Sequence, residues 1–324
     1  MLWRGVTTVH AVVNSKNPDT TIIKQAAEII KNGGLVAFPT ETVYGLGANA
    51  QNPEAVAKIY KAKQRPADNP LIWHGNSLQD LQSVVEFSSL ARKLANAFWP
   101  GPLTLVLPSK VSAYAKTIAV RVPSHSVSRA IIAESGCLIA APSANSSGKP
   151  SPTKASHVAK DLDGAIDMII DGGAANNGLE STVLDLHTGV ARLLRPGGIT
   201  LEMLQDIIGE VAIPQKNELS LGLDGDTPLS PGMKYRHYAP NAPVVLVEAG
   251  QAMLIANNYQ KKGKTVGILE TSKYKSLEIA AKELFDRLRQ FDEQDVSVII
   301  VETVPEEGIG MAIMNRLRKA ALKI

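Results

Sequence analysis

Leu35-Val36-Ala37-Phe38-Pro39-Thr40-Glu41-Thr42-Val43-Tyr44-Gly45-Leu46-Gly47 reads as a short apolar strand running into a loop of hydroxyls, one carboxylate and two glycines. Before it, Ile22, Ala26, Ile29 and Ile30 recur at helical spacing until Asn32-Gly33-Gly34 ends the helix. After it, Pro53 opens a helix running to about Lys63. A Pro-containing turn, Gln64-Arg65-Pro66-Ala67-Asp68-Asn69-Pro70, then leads into a strand over residues 71–74. Farther out come a helix over 89–98 and strands over 103–107, 117–122, 138–140, 168–170, 182–184 and 191–194. Several of these strands follow one another with no helix between them. The expected fold is therefore α/β, with a twisted mixed sheet and flanking helices.

A chain of 324 residues exceeds most single cores, so two domains are expected. With 44% hydrophobic and 20% charged residues it has the composition of a soluble globular protein. The single cysteine, Cys137, excludes an intrachain disulfide and points to a reducing, cytoplasmic setting. Its apolar neighbours suit a small buried hydrophobe better than a nucleophile. No apolar run reaches the ~20 residues that span a bilayer, and Met1-Leu2-Trp3-Arg4-Gly5 lacks the pattern of a signal peptide. A net charge of +3 permits contact with phosphates but is too small to predict nucleic-acid binding.

A second loop follows the 138–140 strand: Ala141-Pro142-Ser143-Ala144-Asn145-Ser146-Ser147-Gly148-Lys149-Pro150-Ser151-Pro152-Thr153. It precedes a helix near 154–160. Loops at the C-terminal ends of strands bind ligands in open α/β sheets. Backbone N–H groups and serine hydroxyls would hold phosphate oxygens there, although the same residues also suit a plain turn and helix cap. Lys63 and Arg65, held by Pro66 and Pro70, read either as a solvated helix end or as a clamp for a triphosphate. Arg121 lies inside the apolar strand Ile118-Ala119-Val120-Arg121-Val122, on the same face as Ala119, where it would line a cavity. Arg195, before Pro196-Gly197-Gly198, has a similar setting, and Glu180-Ser181-Thr182 would present hydroxyls. The six histidines form no metal-binding spacing, so no metal site built from protein side chains is expected. Of these, His74 at a strand end is the best ligand contact. Lys262-Gly263-Lys264-Thr265 imitates the tail of a phosphate loop, but Asn258 stands where its first glycine should be and the segment precedes a strand, so it reads as a turn.

Residues 215–243 are polar, rich in Gly and Pro, and without periodicity. They read as a linker between a first domain, 1–214, and a last one, 244–324. The linker contains Ser230-Pro231-Gly232-Met233-Lys234-Tyr235-Arg236-His237-Tyr238-Ala239-Pro240, whose aromatic residues suit a docked segment and a lid over the site. Strand and helix then alternate three times, as in a small Rossmann-like parallel unit. With 12 basic and 11 acidic residues over 243–324, that unit is no basic nucleic-acid arm.

The run PTETVYGLG, Lys63-Gln64-Arg65, Ser143-Ala144-Asn145 and SPGMKYRHYAP together resemble the threonylcarbamoyl-AMP synthase family in its long form, a YrdC-like catalytic domain followed by a C-terminal domain. The resemblance implies a nucleotidyltransferase that joins L-threonine, bicarbonate or CO2, and ATP, releasing pyrophosphate. The product serves a downstream transferase acting on adenosine 37 of tRNAs that read codons beginning with A. It implies Lys63, Arg65, Ser143 and Asn145 as the catalytic, nucleotide-binding signature. Asn69, Thr117, Ser151, Arg195, Tyr235 and His237 would be further ATP contacts. Thr42, His74, Arg121, Ala141 (through its backbone) and Ser181 would bind L-threonine. Mg²⁺ is expected to travel with ATP. Ser126 stands where the family usually has proline. A weak contact of the chain itself with tRNA is compatible with this. Two other readings fit the residues: a non-catalytic RNA-binding module, and carbamoyl-adenylate chemistry on another acceptor.

Overall fold

The computed structural model describes residues 7–111, 115–214 and 237–321. The larger part runs β1 (Val9–Val12), α1 (Thr20–Lys31), β2 (Val36–Pro39), β3 (Tyr44–Asn49), α2 (Pro53–Lys63), β4 (Ile72–His74), α3 (Leu78–Leu81), α4 (Ser89–Phe98) and β5 (Leu103–Pro108). It continues with β6 (Thr117–Arg121), α5 (Ser126–Ser135), β7 (Ile139–Ala140), α6 (Ala155–Leu162), β8 (Met168–Asp171), β9 (Thr182–Asp185), β10 (Arg192–Arg195) and α7 (Leu201–Ile208). Its ten strands form one sheet in the order β1-β8-β2-β3-β7-β4-β6-β5-β9-β10. Parallel pairs such as β4 with β6 alternate with antiparallel ones such as β5 with β6, so the sheet is mixed.

One departure from the sequence reading matters for the site. Residues 44–47, read as loop, belong to strand β3. The glycines are there for packing: a Cβ on Gly47 would lie 2.5 Å from the Phe38 ring on the neighbouring strand. The second loop is stitched to this strand, with Leu46 N donating to Pro142 O, Ala144 N to Tyr44 O and Tyr44 N to Pro152 O, each at 2.8 Å. The two motifs recognised separately in the chain thus form one piece of backbone structure.

One face of the sheet packs α2, α4, α6 and α7 in the main core. On the other face α1 and α5 cover β2, β7 and β8 through Ile23, Ala26, Ile30, Ile131, Ile139 and Met168. Farther along that face, Ile72, Val106, Ala119, Val183 and Leu194 form a separate small cluster. The candidate site lies at the junction of these two regions. Cys137 is half-buried in the turn before β7 rather than inside a strand.

The C-terminal part runs β11 (Val244–Val247), α8 (Ala252–Gln260), β12 (Val266–Leu269), α9 (Leu277–Glu293), β13 (Val298–Glu302) and α10 (Ile309–Ala321). Its strands form a parallel sheet in the order β11-β13-β12, with α8 on one face and α9 and α10 on the other. Lys262-Gly263-Lys264 forms the turn before β12. At the C-terminal ends of these strands, where an open parallel sheet takes ligands, the chain's own Glu302 accepts from Gly250 N, Ser272 N and Ser272 Oγ. The core beneath α9 and α10 also receives Val43, Leu179 and Tyr238. No helix among the described residues is long and apolar enough to cross a membrane.

Candidate active site

A cleft with an open volume of about 650 Å³ is lined by Thr42, Gly45, Arg65, His74, Arg121, Ala141, Ser143, Asn145, Ser151, Ser181, Arg195 and His237, among others. It therefore gathers candidates from widely separated stretches of chain. Strand alternation explains part of this, because Ile72 and His74 share a face of β4 and His74 pairs with Arg121 across β4 and β6.

At one end, Arg121 is bound by its own surroundings. Its NH2 donates to Glu41 Oε1 at 2.6 Å, its NH1 to Thr42 Oγ1 at 3.1 Å and its Nε to Gly101 O at 3.1 Å. The two charged side chains are 4% and 7% exposed. Burial disfavours the Glu41 carboxylate, but Arg121 and the Ser124 N–H outweigh it and hold its pKa below the ordinary value. Glu41 was not singled out from sequence, although it stands inside the PTETVYGLG run. Thr42 Oγ1 also meets Thr40 Oγ1 at 2.8 Å. His74 Nδ1 lies 3.1 Å from Ile72 O, so that nitrogen carries the proton. Burial, then the Arg121 charge, push the His74 pKa down to about 3, which keeps the ring neutral. Ala141 N donates to Ile72 O, and Ser181 Oγ meets Thr104 Oγ1 at 2.8 Å.

At the other end the cations lining the cleft, Arg65, Lys149 and Arg195, outnumber the lining carboxylate, Glu180. Helix α2 buries Ala55, Ile59 and Lys63 on one stripe, so Lys63 is core-facing and 1% exposed. It does not line the cleft wall. Its Nζ donates to Ser143 O and Asn145 O, and its own carbonyl accepts from Ser147 N, so it fixes the loop from behind. Burial, then the nearby Arg65 charge, hold its pKa well below the usual lysine value. Gln64 takes the left-handed conformation (φ 52°) that ends α2, and Arg65 then turns into the cleft. Arg65 donates to the carbonyls of Asn69 and Pro70 at 3.3 and 3.2 Å. Its pKa, lowered by burial to about 10, still leaves it charged at neutral pH.

Ser143 Oγ donates to Asn145 Oδ1 at 2.5 Å, and Asn145 Nδ2 donates to Ser146 O and Lys149 O. Ser151 Oγ donates to Glu180 Oε1. Arg195 holds Ser181 through Nε to its carbonyl at 3.0 Å and NH2 to Oγ at 3.1 Å. Glu180, Lys149 and Tyr238 complete this end and were missed as site residues. Tyr238 was visible only as one more aromatic of the linker motif.

Two buried polar atoms near Arg65 have no hydrogen-bond partner among the described residues, Asn69 Oδ1 and His237 Nε2; His237 lines the cleft, whereas Asn69 stands behind Arg65 and does not. The His237 pKa falls to about 3, through burial first and the Arg65 charge second. Thr117 is not brought to the cleft. It begins β6 opposite Pro108, at the far end from Arg121. Tyr235 lies outside the described residues.

The arrangement offers fixed cations, oriented hydroxyls and a neutral histidine, but among the described residues no side chain activated as a nucleophile by a neighbouring base. Such a site can position reactants and neutralise charge. Comparison with known proteins agrees with this geometry. A family model described as "Telomere recombination" (Sua5/YciO/YrdC) matches residues 28–197, and one described as "Threonylcarbamoyl-AMP synthase, C-terminal domain" matches 199–322. The threonylcarbamoyl-AMP synthase of Bacillus subtilis is 47% identical, the match covering 92% of this chain and 92% of that protein. That of Pyrococcus abyssi is also 47% identical, covering 92% of this chain and 94% of that protein. The crystal structure of P. abyssi Sua5 complexed with L-threonine aligns with a TM-score of 0.90 at 46% identity, covering 97% of this chain and 98% of that one. Sequence, fold and cleft lead to one assignment: the chain belongs to the threonylcarbamoyl-AMP synthase family of enzymes, in its two-domain form.

Proposed function

We propose that the chain joins L-threonine, bicarbonate or CO2, and ATP into L-threonylcarbamoyl-AMP and pyrophosphate. The observation that carries this reading is the convergence of Arg65, Ser143 and Arg195, from three separate stretches, on one hollow with Arg121, Thr42 and His74. Threonine occupies the Arg121 end, against Thr42, His74, Ala141 and Ser181. The nucleotide takes the other end, against Arg65, Asn69, Ser143, Asn145, Ser151, Arg195 and His237. His237 Nε2, which lines the cleft and has no hydrogen-bond partner among the described residues, supports a polar ligand there, because buried polar atoms are normally hydrogen-bonded. Lys63 serves by fixing the loop. The P. abyssi relative was crystallised with L-threonine, which supports threonine as a ligand of this chain.

The chemistry needs no enzyme nucleophile. The uncharged amine of threonine adds to CO2 and loses a proton, giving a carbamate. A carbamate oxygen attacks the α-phosphorus, the bond to the bridging oxygen breaks, and pyrophosphate leaves with that electron pair. Arg65 and Arg195 offset the charge that develops on the phosphates. Among the described residues no group of three or more His, Cys, Asp or Glu side chains could hold a metal. The hydroxyls of Ser143 and Ser151, on residues that line the cleft, each donate to a neighbour and retain lone pairs for a further partner. They fit a Mg²⁺ ion held mainly by phosphate and water, whose chemistry is charge neutralisation. On this reading the chain works in the cytoplasm, and a second enzyme carries the threonylcarbamoyl group to adenosine 37 of tRNA. The division into 1–214, 215–243 and 244–324 belongs to the same proposal, supported by the two separate sheets.

Pyrophosphate release by the purified full chain is the test. Release should require threonine and bicarbonate together. Release without threonine, or tight salt-sensitive tRNA binding with no release, overturns the reading.

A further inference from the structure

The loop carrying Ser143, Asn145 and Ser151 is held from outside its own sheet. Arg289, on α9 of the C-terminal part, donates through NH2 and Nε to Pro150 O at 2.6 and 3.1 Å. The same guanidinium grips Asp161 of α6, NH2 to Oδ2 at 2.7 Å and NH1 to Oδ1 at 3.2 Å. Asp161 in turn accepts from Ser146, its Oδ2 from the backbone N at 3.2 Å and its carbonyl from Oγ at 3.3 Å. Lys149 Nζ stands 3.9 Å from Asp161 Oδ1. The Arg289 and Asp161 side chains are 5% and 1% exposed. One buried, two-pronged pair thus fixes the loop at residue 146, next to Asn145, and at residue 150, next to Ser151.

We propose that Arg289 is a positioning residue for nucleotide binding, through which the C-terminal part sets the geometry of the Ser143–Ser151 loop. This rests on the reading above that the loop receives the nucleotide. An internal control exists on the same two helices. Lys160 and Glu293 also join α6 to α9, at 3.3 Å, but are 50% and 55% exposed and do not touch the loop. A contact that merely glues the two parts together would behave alike at both places. A positioning contact would not, because a small displacement of binding groups costs far more than the contact itself.

The experiment titrates the full chain with a non-hydrolysable ATP analogue and, separately, with L-threonine. Arg289→Met should weaken analogue binding about tenfold or more while threonine binding stays within about twofold. Asp161→Asn should do the same, and the double variant should be little worse than either single one. Lys160→Ala should change neither ligand. Should Arg289→Met fail to fold, Arg289→Lys, which keeps the charge and loses the fork, is scored on the same two titrations. Analogue binding unchanged in the Arg289 variant, or lost equally with threonine binding, overturns the inference. Wild-type protein that binds no analogue overturns the functional reading itself, so the two failures are distinct.

Discussion

The two ends of the cleft solve the problem of a buried cation in opposite ways. Arg121 meets a carboxylate of its own, Glu41, and a hydroxyl, Thr42. At the other end Arg65, Lys149 and Arg195 line the cleft with Glu180 as the lining carboxylate. Arg65 is held by backbone carbonyls, and the Lys63 amine lies just behind the loop. The first end is electrostatically complete without a ligand, so it suits a zwitterion such as an amino acid. The second has positive charge to spare, so it suits a polyanion. A compensated charge contributes to the stability of the empty protein, whereas an uncompensated one costs stability until ligand arrives.

That contrast can be broken by mutation. Arg121→Met leaves Glu41 buried without its partner and should destabilise the ligand-free protein by about 3–5 kcal/mol, read by denaturant unfolding, with threonine binding lost. Lys63→Ala strands the Ser143 and Asn145 carbonyls and should cost about 2–4 kcal/mol in transition-state stabilisation, read as kcat/KM for adenylate formation. Activity near wild type would reduce Lys63 to a buried helix end. Arg65→Ala separates the two ends most cleanly. It should weaken nucleotide binding by about 2 kcal/mol yet leave the empty protein as stable as before or more so. A large loss of stability would show that the second end is compensated after all.

Acid titration probes both ends together. His74 and His237, both near 3, and His157, near 4, are depressed by burial from an ordinary value of 6.5. The unfolded chain therefore binds protons that the folded one refuses. This stability is fully present above pH 6.5 and is lost as pH falls toward 3–4, at up to about 1.4 kcal/mol per pH unit for each ring. His74→Gln should flatten that slope in urea unfolding between pH 6.5 and 4; an unchanged slope would mean the ring is not held neutral. The smallest effect is expected for Lys160→Ala, about 0–0.5 kcal/mol, against which the buried Arg289 contact is judged.

Much of this architecture was legible in the chain. The periods of Thr20–Lys31, Pro53–Lys63 and Ser89–Phe98 mark helices because a buried stripe must recur every third or fourth residue. The succession of strands without intervening helices required a mixed sheet. Strand β3 was not legible, since Tyr44-Gly45-Leu46-Gly47 carries the glycines of a turn, and only the Phe38 ring beside it shows why glycine is needed. Helix α5, Ser126–Ser135, was missed because serines, Ser128 and Ser135, take part of its buried stripe and blunt the apolar period.

The residue types of the site, fixed cations and hydroxylated loops after short strands, are properties of local sequence, and they named the chemistry. The roles within it are not local. Lys63 and Arg65 are two residues apart, yet one ties a loop from behind and the other faces the cleft, because a helix ends between them. Glu41, Glu180 and Arg289 acquired meaning only from partners 80, 136 and 128 residues away, Arg121, Arg316 and Asp161. Periodicity reports which side of an element is buried. Which charge meets which across the packed sheet is decided by long-range burial, where the cost of an unpaired ion selects the partner.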